Sequence, residues 1–455
     1  MSIKSRNIHF IAIGGSIMHN LAITLHKKGH NITGSDDEIF EPSRSLLQSN
    51  GLLQEKEGWN EANIHTDLDA VILGMHARED NPELKKAQEL GVKIYSFPEY
   101  IYEQSIDKQR IVISGSHGKT TITSIVMHVL KYNNRKFDFA VGARIEGFEE
   151  MVQLSDAPII IIEGDEYLSS PIDRTPKFHK YHHHIGLISG VSWDHINVFP
   201  TEEDYVKQFD LFADSTPKGG TLIYSEDDSL ATVIGKKERE DIHALPYKTH
   251  PYTIEDGTTY LTFGKELVPA KIFGKHNLQN ISAALTLLKR IGITEDMFYM
   301  AIQSFKGADK RLELIGERND VSIYKDYALA PSKVEATTLA VREQYPERDL
   351  VACLELHTFS SLNKEFLKQY KGTLKYSNVP IVYYNPVTIE NKRLSPISKE
   401  EIKQSFGENA LQVFDDKEEM LSFLQSLEWS NKNLLLMTSG TFNGLDYKSL
   451  PSLLN

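Results

Sequence analysis

The segment Gly115-Ser116-His117-Gly118-Lys119-Thr120-Thr121 follows an apolar run, Ile111–Ser114, and precedes a helical pattern, Ile122–Leu130. Strand, glycine loop, Gly-Lys-Thr and helix in that order is the context of a phosphate-binding loop. Successive backbone N–H groups cradle phosphate oxygens, Lys119 reaches the terminal phosphates, and the Thr120 hydroxyl ligates Mg2+. The loop is short, with only Ser116 and His117 between Gly115 and Gly118. It predicts ATP as the bound nucleotide, accompanied by Mg2+. Such a site needs a carboxylate at the end of a neighbouring strand. The apolar run Pro158–Ile162 ends abruptly in Glu163-Gly164-Asp165-Glu166, with Glu163 the first candidate. Further on, Ile185–Gly190 leads into Val191-Ser192-Trp193-Asp194-His195. His195 reads either as a second magnesium ligand or as a structural histidine, because imidazole more commonly binds softer metals.

A second glycine turn lies near the amino end, where Ile8–Ile13 opens into Gly14-Gly15-Ser16 ahead of a helical pattern, Met18–Lys28. Glycines at a strand-to-helix turn let the backbone approach a diphosphate, whose charge the helix N-terminus stabilises. The dinucleotide fingerprint G-x-G-x-x-G is not matched, since Ile17 and Met18 stand where spaced glycines would fall. Asp36, about twenty residues on, is placed to bind a ribose hydroxyl. A nucleotide-diphosphate site outside the NAD class and a plain tight turn both stay open. His179 and the run His182-His183-His184 invite a metal reading. Neighbours on an extended strand point to opposite faces, so this run is expected to be a solvated edge.

The elements that must position these groups alternate along the chain. Strands are predicted at Ile8–Ile13, Asn31–Gly34, Ala70–Gly74 and Lys93–Phe97, with helices such as Met18–Lys28 and Glu83–Leu90 closed by Gly29 and Gly91. After a polar stretch, Glu103–Arg110, the alternation resumes with Ile111–Ser114, Ile159–Glu163 and Ile185–Gly190, then breaks at an irregular, hairpin-like region, Gly219–Pro269. It returns with Val321–Lys325, Leu350–Glu355, Ile381–Tyr384 and Leu434–Met437. Strands alternating with helices predict an α/β fold with parallel, doubly wound sheets. At 455 residues the chain has room for about three domains. The boundaries are expected at 1–107 (Rossmann-like), 108–309 (a central P-loop ATPase-type domain) and 310–455 (Rossmann-like).

Composition narrows the function. Hydrophobic residues are 40%, charged residues 25% and mean hydropathy is −0.35, as in water-soluble globular proteins. A net charge of −13 argues against general binding to nucleic acid or to an acidic membrane. One cysteine, Cys353, excludes a disulfide framework or a Cys-rich zinc site. The first apolar run ends in glycines and is too short for a signal peptide or a spanning helix, so a cytoplasmic protein without membrane insertion is expected.

Taken together, the motifs resemble the Mur ligase family, ATP-dependent amide-forming enzymes of peptidoglycan synthesis. The loop Gly115–Thr121 is similar to that family's G-[TS]-x-G-K-T-T. Gly274-Lys275-His276-Asn277-Leu278-Gln279-Asn280, followed by Ala283-Ala284, resembles its G-x-H-N-x-x-N-x-x-A-A segment. Phe305-Lys306-Gly307 through Lys310-Arg311-Leu312-Glu313 looks like its hinge into the third domain. The resemblance implies ATP and Mg2+ as cofactors and UDP-N-acetylmuramate as a substrate on the first domain, with Gly14, Gly15, Ser16 and Asp36 as its contacts. It implies nucleotide-binding roles for Gly115, Ser116, His117, Gly118, Lys119, Thr120, Thr121, Asn277, Asn280, Arg311 and Asp326. Lys119, His195 and Arg311 would carry the catalysis, and Thr120, Glu163 and His195 the metal.

Finer features point to the branch that attaches a whole peptide, L-alanyl-γ-D-glutamyl-meso-diaminopimelate, in peptidoglycan recycling. They are Gly34-Ser35-Asp36, Glu163–Tyr167 with Asp173-Arg174 and Lys177-Phe178 behind it, and Arg311-Leu312-Glu313-Leu314. The alternatives are the sister branch that adds L-alanine and, in another class, a catalytically silent UDP-muramyl-binding sensor. Two departures bear on the choice. The family's D-[FY]-[AG]-H-x-P reads Asp326-Tyr327-Ala328-Leu329-Ala330-Pro331, with Leu329 at the histidine position. The basic residue expected after Glu355 is absent, which leaves His357 as the candidate for a substrate carboxylate. No general base for the amine is apparent.

Overall fold

The computed structural model describes residues 5–193, 198–308, 311–318, 320–447 and 449–453. The chain forms two compact units, Met1–Thr249 with Gln279–Ala301, and His250–Leu278 with Ile302–Asn455.

In the first unit, the strands Asn31–Ser35, Asn7–Ile11, Ala70–Leu73 and Ile94–Ser96 form a parallel sheet in that order. Its helices include Ser16–Lys27 and Pro82–Leu90. The second starts on the Asn81 side chain, which accepts from the Glu83 and Leu84 N–H groups, and stops at Gly91 with φ 67°. A left-handed residue there is sterically cheap only for glycine.

A larger sheet runs His243–Tyr247, Thr221–Ser225, Ile185–Ile188, Gln109–Ser114, Ile159–Glu163, Asp138–Ala140 and Val152–Gln153, parallel except for the last pair. Ile111, Val112 and Ile113 are all fully buried. Strands covered on both faces read as unbroken apolar runs, and each such isoleucine contributes roughly 1.5–3 kcal/mol. One apolar core containing Leu21, Tyr100, Val152 and Phe178 is continuous between the two sheets. The region Gly219–Pro269 is not irregular throughout. Thr221–Ser225 and His243–Tyr247 are parallel members of the large sheet, with the helix Ser229–Lys236 between them. Only the strands Tyr252–Glu255, Thr258–Phe263 and Glu266–Ala270 form an antiparallel meander, and these belong to the second unit.

The second unit's main sheet runs Glu313–Arg318, Val321–Asp326, Lys432–Met437, Asp349–Leu356, Val379–Tyr384 and Gln412–Phe414, parallel but for the first pair. Cys353 is fully buried in its middle, with Sγ 3.9 Å from the Met420 sulfur. Among the described residues no helix is long and apolar enough to cross a membrane.

Candidate active site

Gln109–Ser114 lies between Ile185–Ile188 and Ile159–Glu163, where the order of strands reverses. The carboxyl end of a strand at such a point is where open α/β sheets bind ligands. Gly115 leaves the strand at φ 127°, and a Cβ there would collide with Ser189. Gly118, at φ 80°, opens the helix Lys119–Tyr132, whose first turn carries no side-chain cap. Uncapped N–H groups are available to an anion.

Lys119 Nζ donates to Glu166 Oε2 at 2.7 Å and to the Gly115 carbonyl at 2.6 Å. Burial by itself would lower the ammonium's pKa, but Glu166, Asp165 and Glu163 outweigh it and raise it. The cation is therefore kept charged, on the loop, before any phosphate arrives. The Thr120 hydroxyl donates to Glu163 Oε1 at 2.8 Å, and the other carboxylate oxygen accepts from the Gly142 N–H at 3.1 Å. Magnesium takes one or two protein oxygens and completes its shell with water and substrate phosphates, so this pair of hard donors fits it.

Behind the loop, Ser116 Oγ lies 2.8 Å from the Tyr205 hydroxyl, which itself donates to Glu166 Oε1 at 3.3 Å. The Ser192 N–H donates to Ser116 Oγ at 2.8 Å. One polar chain thus joins loop, acid and lysine. Asn280 packs against Gly118, so this predicted nucleotide residue does meet the loop.

At the amino-terminal turn, Gly14 N–H donates to Asp36 Oδ2 at 2.8 Å and Asp37 N–H to Oδ1 at 3.0 Å. Burial pushes the Asp36 carboxyl up to about 6, against the Gly14 bond, which favours ionisation. Asp36 therefore holds the turn itself. The helix from Ser16 has neither a side-chain cap nor an acid in its first turn. Beneath, fully buried Glu83 accepts from Ser35 Oγ and lies 3.2 Å from His9 Nε2, fixing the strand end that carries Asp36.

The remaining predicted residues lie in the second unit. Arg311 donates to the Tyr327 carbonyl at 3.2 Å and stacks over that ring. Asp326 accepts from Leu312 N–H at 3.2 Å and from the Thr337 hydroxyl at 2.6 Å. The Asn277 amide donates to the Phe273 carbonyl at 2.9 Å. His357 is part-exposed, with Nδ1 4.0 Å from buried Glu355. His195 lies outside the described residues.

The histidine run is not a solvated edge. His183 is buried, its Nε2 is 3.0 Å from the Thr216 hydroxyl, and its ring lies 4.2 Å from that of Phe212. His184 Nδ1 accepts from the Arg110 N–H, and only His182 is exposed. The run is not extended strand: it precedes the strand Ile185–Ile188, His182 stands at φ 47°, and helix Glu202–Asp214 covers His183 through Phe212. Tyr205 and Ser189 give no local signal in the sequence. Glu166 stood in the acidic run behind Glu163.

The Mur ligase middle domain matches residues 113–288 and the Mur ligase family catalytic domain matches residues 7–108. The UDP-N-acetylmuramate–L-alanine ligase of Lactobacillus acidophilus is 30% identical over 84% of this chain and 85% of its own. That of Carboxydothermus hydrogenoformans is 27% identical over 98% and 97%. A UDP-N-acetylmuramate–L-alanyl-γ-D-glutamyl-meso-2,6-diaminoheptandioate ligase of Haemophilus influenzae is 27% identical over 74% and 77%. The structure of a UDP-N-acetylmuramate–alanine ligase from Thermotoga maritima superposes with a TM-score of 0.70 at 19% identity, covering 98% of both chains. This chain belongs to the Mur ligase family. It has that family's α/β fold of N-terminal, middle and C-terminal domains, and it is an ATP-dependent, ADP-forming amide ligase.

The peptide-adding branch expected from the finer motifs is overturned by these matches. Relatives named as L-alanine ligases align over more of the chain and at equal or higher identity. That expectation rested on Gly34-Ser35-Asp36, on Glu163–Tyr167 with Asp173-Arg174 and Lys177-Phe178, and on Arg311-Leu312-Glu313-Leu314, while Leu329 and His357 mark departures from the family pattern.

Proposed function

We propose that this chain joins the amine of L-alanine to the lactyl carboxylate of UDP-N-acetylmuramate, using ATP. The observation that carries the reading is the likeness to L-alanine ligases over nearly the whole chain. The phosphate loop supports it, with Lys119 beside Glu166 and Thr120 beside Glu163.

A carboxylate and an amine do not condense in water without activation. In the proposed reaction the lactyl carboxylate attacks the γ-phosphorus and ADP leaves. The neutral amine then adds to the acyl phosphate carbonyl, and the tetrahedral intermediate collapses to the amide as phosphate leaves and the nitrogen's proton passes to solvent or phosphate. Lys119 offsets charge on the transferring phosphoryl group, the largest lever in such chemistry. Thr120 and Glu163 would hold Mg2+, which supplies further neutralisation of phosphate oxygens when bound. Asn280 orients the nucleotide at the loop, and Arg311, Asn277 and Asp326 are further nucleotide-binding residues of the chain. The Gly14–Ser16 turn takes the UDP diphosphate, and His357 meets the carboxylate of the amino acid. Nucleotide-linked, ATP-dependent chemistry of this kind belongs to the cytoplasm.

The test is magnesium-dependent phosphate release from ATP with UDP-N-acetylmuramate and L-alanine, with product mass measured. Release coupled to a gain of one alanine residue is the expected result. Release only with a peptide amine, or none at all, would overturn the proposal.

A further inference from the structure

The segment from Val141 to Val152 touches both candidate substrate regions of the first unit. At its start, the Gly142 N–H donates to Glu163, the carboxylate that also receives the Thr120 hydroxyl. At its end, the Met151 N–H donates to Asn20 Oδ1 at 3.2 Å, and the Met151 sulfur accepts from Asn20 Nδ2 at 3.5 Å and Ser16 Oγ at 3.6 Å. The Thr24 hydroxyl then donates to the Val152 carbonyl at 2.7 Å. The segment is braced midway, where Ile145 is buried and Lys131 donates to the Gly147 carbonyl at 2.7 Å. It is a fixed bridge from the metal carboxylate to the helix after the glycine turn.

Arg144 is the guanidinium on that bridge, two residues from Gly142 and so at most about 7 Å along the chain. It is exposed and makes no hydrogen bond or ion pair with any described residue. The nearby lysines are committed: Lys27 pairs with Glu150 at 2.6 Å, and Lys131 holds Gly147. The Arg144 charge is felt at His19, whose Nδ1 bonds the Gly15 carbonyl at 3.0 Å. Burial is the main cause of that imidazole's lowered pKa, and Arg144 adds to it. A guanidinium with its donors unspent, on a rigid support beside an uncapped helix start, is suited to bidentate capture of an anion.

We propose that Arg144 is a substrate-binding residue that grips the diphosphate of the sugar nucleotide seated on the Gly14–Ser16 turn. This rests on the reading of that turn as the UDP site. It gives the diphosphate a fixed cation beside the backbone N–H groups, and it places that cation on the same strap that steadies Glu163.

The test is calorimetric titration of wild type and Arg144→Ala with UDP, UDP-N-acetylmuramate and, as a control, ATP. About tenfold weaker binding of UDP and of UDP-N-acetylmuramate alike is expected, which corresponds to about 1.4 kcal/mol. ATP affinity and ligand-free thermal stability should not change, and Arg144→Lys should recover part of the loss. Weakening confined to UDP-N-acetylmuramate would assign Arg144 to the lactyl carboxylate and overturn the diphosphate assignment. Equal binding by wild type and variant would overturn the role of Arg144 while leaving the UDP site standing. Failure of wild type to bind either ligand would remove the UDP site, and the proposal with it.

Discussion

Lys119 and Glu166 form a largely buried ion pair at the phosphate loop, Nζ to Oε2 at 2.7 Å. Deleting one partner of such a pair strands the other, at about 3–5 kcal/mol. Lys119→Met should therefore lose both stability and function. Thermal unfolding should show a lowered midpoint, and phosphate release should fall at least about 10²–10³-fold. Adding Glu166→Gln should restore part of the stability and none of the turnover. Recovery of turnover in the double variant would show that Lys119 acts only through the fold.

Gly118 stands at φ 80° with Asn280 occupying the space a side chain would need. Gly118→Ala should cost about 1–2 kcal/mol from backbone conformation alone, plus the clash. ATP affinity should drop while UDP binding holds. Pairing it with Asn280→Ala should relieve the clash but not the backbone strain, so denaturant titration should show partial recovery.

The Tyr205 hydroxyl links Ser116 to Glu166 behind the loop. Tyr205→Phe should lower stability by about 1 kcal/mol, the usual net value of one hydrogen bond. KM for ATP should rise severalfold with KM for the sugar nucleotide unchanged. An equal rise in both would mean that the hydroxyl serves general packing.

Burial holds the His183 imidazole down to about 3, with the charges of its neighbours adding to the effect. An unfolded histidine titrates near 6.5. Between these values the unfolded chain binds the proton and the folded chain does not, so stability falls as pH drops from about 6.5 towards 3, by up to about 1.4 kcal/mol per unit. Urea unfolding at pH 5 and pH 7 should show a smaller difference for His183→Gln than for wild type. An unchanged difference would place the acid sensitivity elsewhere.

The phosphate loop and Glu163 are legible in the sequence because their chemistry depends on local order: strand end, glycines, lysine, hydroxyl. Tyr205 is not, because it meets Ser116 across 89 residues through the packing of a helix on the sheet. His183 shows a related limit. The run lies just before the strand Ile185–Ile188, where strand alternation does not apply, and only tertiary packing against Phe212 and Thr216 buries His183. The strand His243–Tyr247 is obscured by Pro246, a residue tolerated there because this strand is at the sheet's edge. The amine substrate was the least legible feature, since sister branches share the phosphate loop, the acids and the hinge.

The lone thiol of Cys353, sealed between strands and pushed up in pKa by burial, has a practical consequence. Maleimide dyes should leave the native chain unlabelled, so no background cysteine needs removal before site-directed labelling. Val233 in the first unit and Val387 in the second are 70% and 57% exposed. Cysteines introduced at these two positions would carry a donor and an acceptor fluorophore. Energy transfer between them would then follow the two units in real time as each substrate is added.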